Sequence, residues 1–225
     1  MTIVCHQKTC YLLFAFCFLI LSLQREGRGT VVVMASEEEK EEEKEKTPNE
    51  LLWDACTSPR ETDSVEDIQS AIAAGADINF QHEKTKQTCL MSVTLRGKPK
   101  ILRYLLQNGA DVTLAERQGF TPPHGAGFQG RLETMKILVE EANLDVINIR
   151  HEDGFKPLHR ACWGKNKRHT EVVEYLISKG ADFNEKGTGD KKESCFEMTK
   201  NPDTIALLKK YGAEEPKEEE GNDEL

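Results

Sequence analysis

One short phrase, returning at a near-constant interval, constrains this chain more than any other feature. Gly75-Ala76-Asp77-Ile78-Asn79 is followed by Gly109-Ala110-Asp111-Val112-Thr113, by Asn143-Leu144-Asp145-Val146 and by Gly180-Ala181-Asp182-Phe183-Asn184, and Gly212-Ala213 closes the series. Its aspartates, Asp77, Asp111, Asp145 and Asp182, are 34, 34 and 37 residues apart. A second phrase runs in phase with the first. Thr121-Pro122-Pro123-His124-Gly125-Ala126 and Lys156-Pro157-Leu158-His159-Arg160-Ala161 are copies 35 residues apart, with weaker copies at Thr88–Val93 and Ser194–Thr199. A period of this size marks stacked supersecondary units, none of which buries its apolar face alone.

Each phrase has a local physical reading. Gly75, Gly109 and Gly180 follow apolar helical stripes and supply the left-handed residue that ends a helix, where a β-carbon is penalised. The stripe before Gly109 is Ile101, Leu102, Leu105 and Leu106, and that before Gly180 is Val172, Val173, Leu176 and Ile177. Both patterns bury one side of a helix only. Thr121 caps a second helix and Pro122 fits its first turn, and Pro157 repeats the arrangement before Leu158 and His159. Each unit is therefore helix–turn–helix with a hairpin-like tip.

The two phrases together resemble the ankyrin repeat family, whose period is 33 and whose signature is Thr-Pro-Leu-His-x-Ala. The resemblance covers residues 49–213, about five units, and implies an all-α solenoid of stacked helix–turn–helix units. The first unit, with Leu51, Leu52, Trp53 and Ala55 followed by a Pro59-containing loop, reads as a cap. So does the fifth, which lacks the Thr-Pro-Leu-His chemistry. Gly164–His169 (GKNKRH) reads as a helix–helix turn about three residues longer than its counterpart, which would explain the 37-residue step.

Charge separates the rest of the chain from this body. Net charge is −9 over 225 residues, and residues 37–46 and 214–225 contribute −4 and −6. The body is thus nearly neutral. That excludes a wholly disordered acidic chain and a nucleic-acid binder, which needs a basic field on its folded part. The acidic runs read as solvating segments, with a cover over the Lys165–His169 stretch as the functional alternative. The expected organisation is an apolar leader over 1–35, an acidic linker over 36–48, the repeat domain over 49–213 and an acidic tail over 214–225.

The leader leaves two compartments open. Tyr11–Leu23 holds 13 apolar or near-apolar residues after Lys8. That is too short to span a bilayer and of signal-peptide length. Val33 and Ala35 would serve as a cleavage site but lie far downstream, and Met34-Ala35-Ser36 also reads as a start. The preferred reading is cytoplasmic or nuclear. The alternative is the endoplasmic reticulum lumen, supported by the Asn222-Asp223-Glu224-Leu225 ending. A membrane enters only if the leader is an uncleaved anchor. Cys56 and Cys162 follow equivalent alanines, 106 residues apart, and Cys89 and Cys195 occupy the Pro slot, again 106 apart. They read as four unpaired, small buried hydrophobes, which fits a reducing compartment.

No residue set carries chemistry. His124 and His159 occupy the family's His slot, where the resemblance implies hydrogen bonds between neighbouring loops rather than catalysis. His159 with Cys162 lacks the further ligands a metal needs. Gly125–Gly130 fits a G-x-G-x-x-G pattern but overlaps a helix and follows no strand. No cofactor, catalytic residue or small-molecule substrate is expected.

The aromatic side chains point elsewhere. Phe120 and Phe155 precede the two Pro-containing phrases, and Phe128 and Trp163 fall late in the same helices, each pair 35 apart. The resemblance places these slots on the concave groove, where large aromatics act as anchors for a partner. Filling gaps between units is the equal alternative. Lys165, Lys167, Arg168 and His169 would form a basic rim beside them. The expected function is a non-enzymatic adaptor that binds another protein through the groove of units two to four; the alternatives are an interaction protein of the endoplasmic reticulum lumen and, behind it, an enzyme using the repeats as a scaffold.

Overall fold

Ten α-helices and one 3-10 turn, and no strand, form among the described residues. The computed structural model describes residues 45–59, 64–142, 144–188 and 192–213. The expected leader and acidic tail, and the acidic linker before Glu45, lie outside them. The helices come in pairs. An inner helix is followed by an outer one: α1 (Pro48–Thr57) and α2 (Glu66–Ala73), α3 (Cys89–Arg96) and α4 (Pro99–Gln107), α5 (Pro122–Gln129) and α6 (Leu132–Glu141), α7 (Pro157–Cys162) and α8 (Lys167–Ser178), α9 (Cys195–Met198) and α10 (Pro202–Lys210). These are the five units of an all-α stack.

Local chemistry sets the boundaries. Thr88, extended at the start of α3, accepts from the Met91 amide at 3.2 Å. Thr121 opens α5 in the same extended conformation, its hydroxyl bonded to the His124 ring at 2.8 Å. The outer helices end at Gly75, Gly109 and Gly180, with φ of +97°, +89° and +95°, as the phrase requires. The aspartate two residues on folds back on the chain: Asp77, Asp111 and Asp182 each accept from the amide two residues later, at 2.8–2.9 Å. The tips close through single backbone bonds, Glu116 N–H to Phe120 O and His151 N–H to Phe155 O, both 3.0 Å.

The core lies between the two helix layers. Leu102, Leu105, Met135, Leu138, Val172, Val173 and Leu176 from the outer helices are buried against Leu90, Val93, Ala126, Leu158 and Ala161 from the inner ones. The ends are polar where they face away. Glu66, Asp67, Gln69 and Ser70 on α2, and Asp203, Lys209 and Lys210 on α10, are exposed.

Two expectations are corrected. The four body cysteines are not free thiols: Cys56 pairs with Cys89 and Cys162 with Cys195. Stacking carries the chain forward one unit per 33 residues, which brings the end of one inner helix against the start of the next. The Cα–Cα distances are 5.4 and 5.5 Å, within disulfide reach. Comparing slots 106 residues apart found the equivalence but missed the pairing, which has a separation of 33. Nor is Gly164–His169 a lengthened turn. The caps Thr88 and Lys98, Thr121 and Arg131, and Lys156 and Asn166 are each ten residues apart. Lys167, Arg168 and His169 form the first turn of α8, and the extra residues of the 37-residue step lie in that longer helix and in the tip before α7.

Candidate partner-binding groove

The two histidines of the repeat phrase, His124 and His159, bridge units. In His124, Nδ1 takes hydrogen bonds from the Thr121 hydroxyl (2.8 Å) and amide, while Nε2–H donates to Phe155 O at 3.3 Å. In His159, Nδ1 accepts from the Lys156 amide at 3.1 Å and Nε2–H donates to Glu185 O at 2.9 Å. Each ring is neutral, caps its own helix and ties the next tip. Burial, reinforced by the Arg160 charge, pushes His124 down to about 4. Burial also lowers His159. With both nitrogens committed, neither ring serves as a base or ligand, and Cys162 is held in its disulfide. Among the described residues no cluster of His, Cys, Asp or Glu could hold a metal ion.

The four aromatics separate into two classes. Phe128 and Trp163, late in the inner helices, are 56% and 39% exposed. Phe120 is half-buried and Phe155 is 2% exposed. Phe155 is therefore a packing residue, set edge-on to Trp163 at 5.7 Å. His169 is buried too, its ring between Phe128 O (3.1 Å) and Asn166 O (3.3 Å), and it offers no rim contact. Lys165, Lys167 and Arg168 are exposed as expected.

Sequence reading missed the residue that joins these rings. Arg160 is 2% exposed, and its guanidinium carbon lies 4.8 Å from the Phe120 ring, 4.7 Å from Trp163 and 5.5 Å from Phe155. Its Nη2 donates to Asp153 and to His151 Nδ1 (3.2 Å). Burial works against the Asp153 charge, but the hydrogen bonds from Arg160 and from the Phe155 amide (3.1 Å) outweigh it and hold the carboxyl below its ordinary range. His151 in turn stacks on Phe120 at 4.1 Å and donates through Nε2 to Gln118 O at 2.7 Å. The signal for Arg160 lay in its slot, where the second and third units carry Ser92 and Gly125. A large side chain following a missing one marks a site where a unit reaches over its neighbour.

At Gly125 the missing side chain lets Leu95 and Met91 of unit two come within 3.0 and 3.1 Å of where a β-carbon would stand. A cavity of about 300 Å³ lies in the angle between the tips and the inner helices, walled by Met91 and Leu95 of unit two, Phe120 and Phe128 of unit three, and Arg160 and Trp163 of unit four. Its floor is apolar and its mouth is flanked by two exposed aromatics. Such a concave, mostly apolar site, with Arg160 and Glu116 as its charged groups, suits recognition of another molecule.

The comparisons agree with this architecture. A family model described as ankyrin repeats (3 copies) matches residues 52–148 and 126–187. The chain is similar to alpha-latrocrustotoxin-Lt1a of Latrodectus tredecimguttatus, 38% identical over 133 residues, which is 59% of this chain and 9% of that protein. It is also similar to the NF-kappa-B inhibitor alpha of Gallus gallus, 31% identical over 152 residues, 66% of this chain and 48% of that one. Similarity to palmitoyltransferase AKR1 of Lachancea kluyveri is 27% over 178 residues, 63% of this chain and 23% of the other. The matched stretch thus spans less than half the length of each of these relatives. The family model reaches across more than half of the chain, so the chain belongs to the ankyrin repeat family.

Proposed function

We propose that this protein-interaction module is a non-enzymatic adaptor that holds a partner protein in the groove of units two to four, with Phe128 and Trp163 as anchors. One observation carries the reading: two large aromatics stand exposed over one apolar cavity, while at the tips Phe120 is half-buried and Phe155 buried. Exposed aromatics over a packed floor are the usual centre of a binding surface. A photocrosslinking amino acid at position 128 or 163 should capture the same protein, identified by mass spectrometry. The same probe at Gln107 or Glu174, exposed on outer helices α4 and α8, should not. Capture from the outer helices alone would sink the reading.

The disulfides favour a second statement, on compartment. Two inter-unit bridges persist where the surroundings are oxidising. We propose the endoplasmic reticulum lumen or another oxidising compartment in place of the cytoplasmic or nuclear reading. Alkylation of free thiols in freshly lysed cells, followed by digestion without reductant, checks it. Peptides cross-linked at Cys56–Cys89 and Cys162–Cys195 are expected, and alkylated cysteines at all four positions would refute it.

A further inference from the structure

The groove cavity holds two unanswered features. The first is a donor. Arg160 spends Nη2 on Asp153 and His151, but its Nε is buried with no acceptor. Buried donors are nearly always satisfied in native structures, and an exception marks a place where something else supplies the acceptor. The second is charge. Asp153 answers the Arg160 charge, and Glu116 adds a carboxylate to the cavity wall on the side of the tips. At its edge, however, Lys165, Lys167 and Arg168 are exposed and have no carboxylate partner among the described residues. Lys165 is two residues beyond Trp163, and the Arg168 stem lies against Gly130, two residues beyond Phe128. An apolar socket, one orphan donor and three unpaired cations on one edge describe a ligand with the complementary order of groups.

Resting on the groove reading above, we infer that the socket takes an extended segment of a partner protein that carries a bulky apolar side chain followed by carboxylates. The side chain enters between Phe128 and Trp163. A main-chain carbonyl beside it accepts from Arg160 Nε as the indole turns aside. The carboxylates lie along Lys165, Lys167 and Arg168. This order fixes the direction of the segment, from the tips toward the helix–helix turns.

The test is a selection of random dodecamers displayed on phage against the immobilised full-length chain. Recovered peptides should share one large apolar residue with several Asp or Glu on one side of it. As synthetic peptides they should bind at least ~10-fold more weakly to Phe128→Ser and to the triple variant Lys165→Glu/Lys167→Glu/Arg168→Glu, all exposed positions whose helical circular dichroism should be unchanged. Affinity should fall with added salt. The Arg160 Nε–H resonance, followed by NMR in the unsubstituted chain, should shift downfield on peptide binding. Peptides without acidic residues, or equal binding by the charge-reversed variant, would overturn this inference and leave the groove reading standing. Peptides that bind the Phe128→Ser/Trp163→Ser variant undiminished would overturn both. An unmoved Nε–H removes the carbonyl contact, and recovery of no peptide counts against the socket. Recovery only after the acids of 214–225 are changed to amides would assign the socket to the chain's own tail instead.

Discussion

His124 shows what a single side chain contributes to this stack. It is neutral, fully bonded and held down to about 4 by burial and by Arg160, against an ordinary value of 6.5. The unfolded chain therefore binds a proton between those limits that the folded chain refuses. Stability should be complete above about pH 6.5, decline as pH falls toward 4, and lose nothing further from this group below that. The loss is on the order of 3 kcal/mol, and His159 adds to it in the same direction. Urea unfolding at neutral and mildly acidic pH measures it, and His124→Gln should flatten the dependence. Glycines divide just as clearly. Gly109 has φ +89° and open space around it, so Gly109→Ala should cost about 1 kcal/mol of backbone strain. At Gly127 a β-carbon would stand 2.4 Å from Pro157 O, so Gly127→Ala must push units three and four apart. It should cost about 3 kcal/mol or more by the same measurement. The first glycine role is readable from sequence because backbone handedness is local. The second is not, because the atom it avoids belongs to another unit. The same distinction governs the aromatics: Phe120 and Phe128 look alike in the chain, and only His151 and Arg160 of the next unit, stacked on Phe120, decide which is partly covered.

Helices were legible wherever their ends carry their own chemistry. Thr121, Pro122 and Gly109 mark boundaries that the structure keeps, and the stripes through Leu102 and Val172 lie on the buried side. The helix α8 was misread for the converse reason. Lys165–Arg168 is a run of polar residues with no apolar periodicity, so it resembled a loop, yet a constant ten-residue spacing of caps places the helix start at Lys167. Packing of its later turns, not propensity of its first, sets that start. Trimming the cap should expose this dependence. Thr121→Ala removes the α5 cap and the His124 partner together, and should cost about 1–2 kcal/mol in chemical denaturation.

Across the whole stack the two disulfides lie at the outer interfaces, between units one and two and between units four and five. Terminal units of a repeat array contact one neighbour only and fray first. Closing a loop over a separation of 33 residues restrains the unfolded chain by about 3–4 kcal/mol per bridge. Reduction with dithiothreitol should therefore lower Tm and turn one cooperative transition into a broader one that begins at the ends. An unchanged melting curve would refute that role. At the interface between units three and four, the slot equivalent to the bridged cysteines holds the tight Gly127–Pro157 contact instead. Under mechanical load the bridges would hide about 110 Å of contour length each from an applied pull. In an optical trap the oxidised protein should lengthen by that much less per bridge than the reduced one. Tension from either end would pass through the stapled caps and be felt first in the middle of the array, where Phe128 and Trp163 stand, so a tug on the chain would reshape the groove before it unravelled the ends.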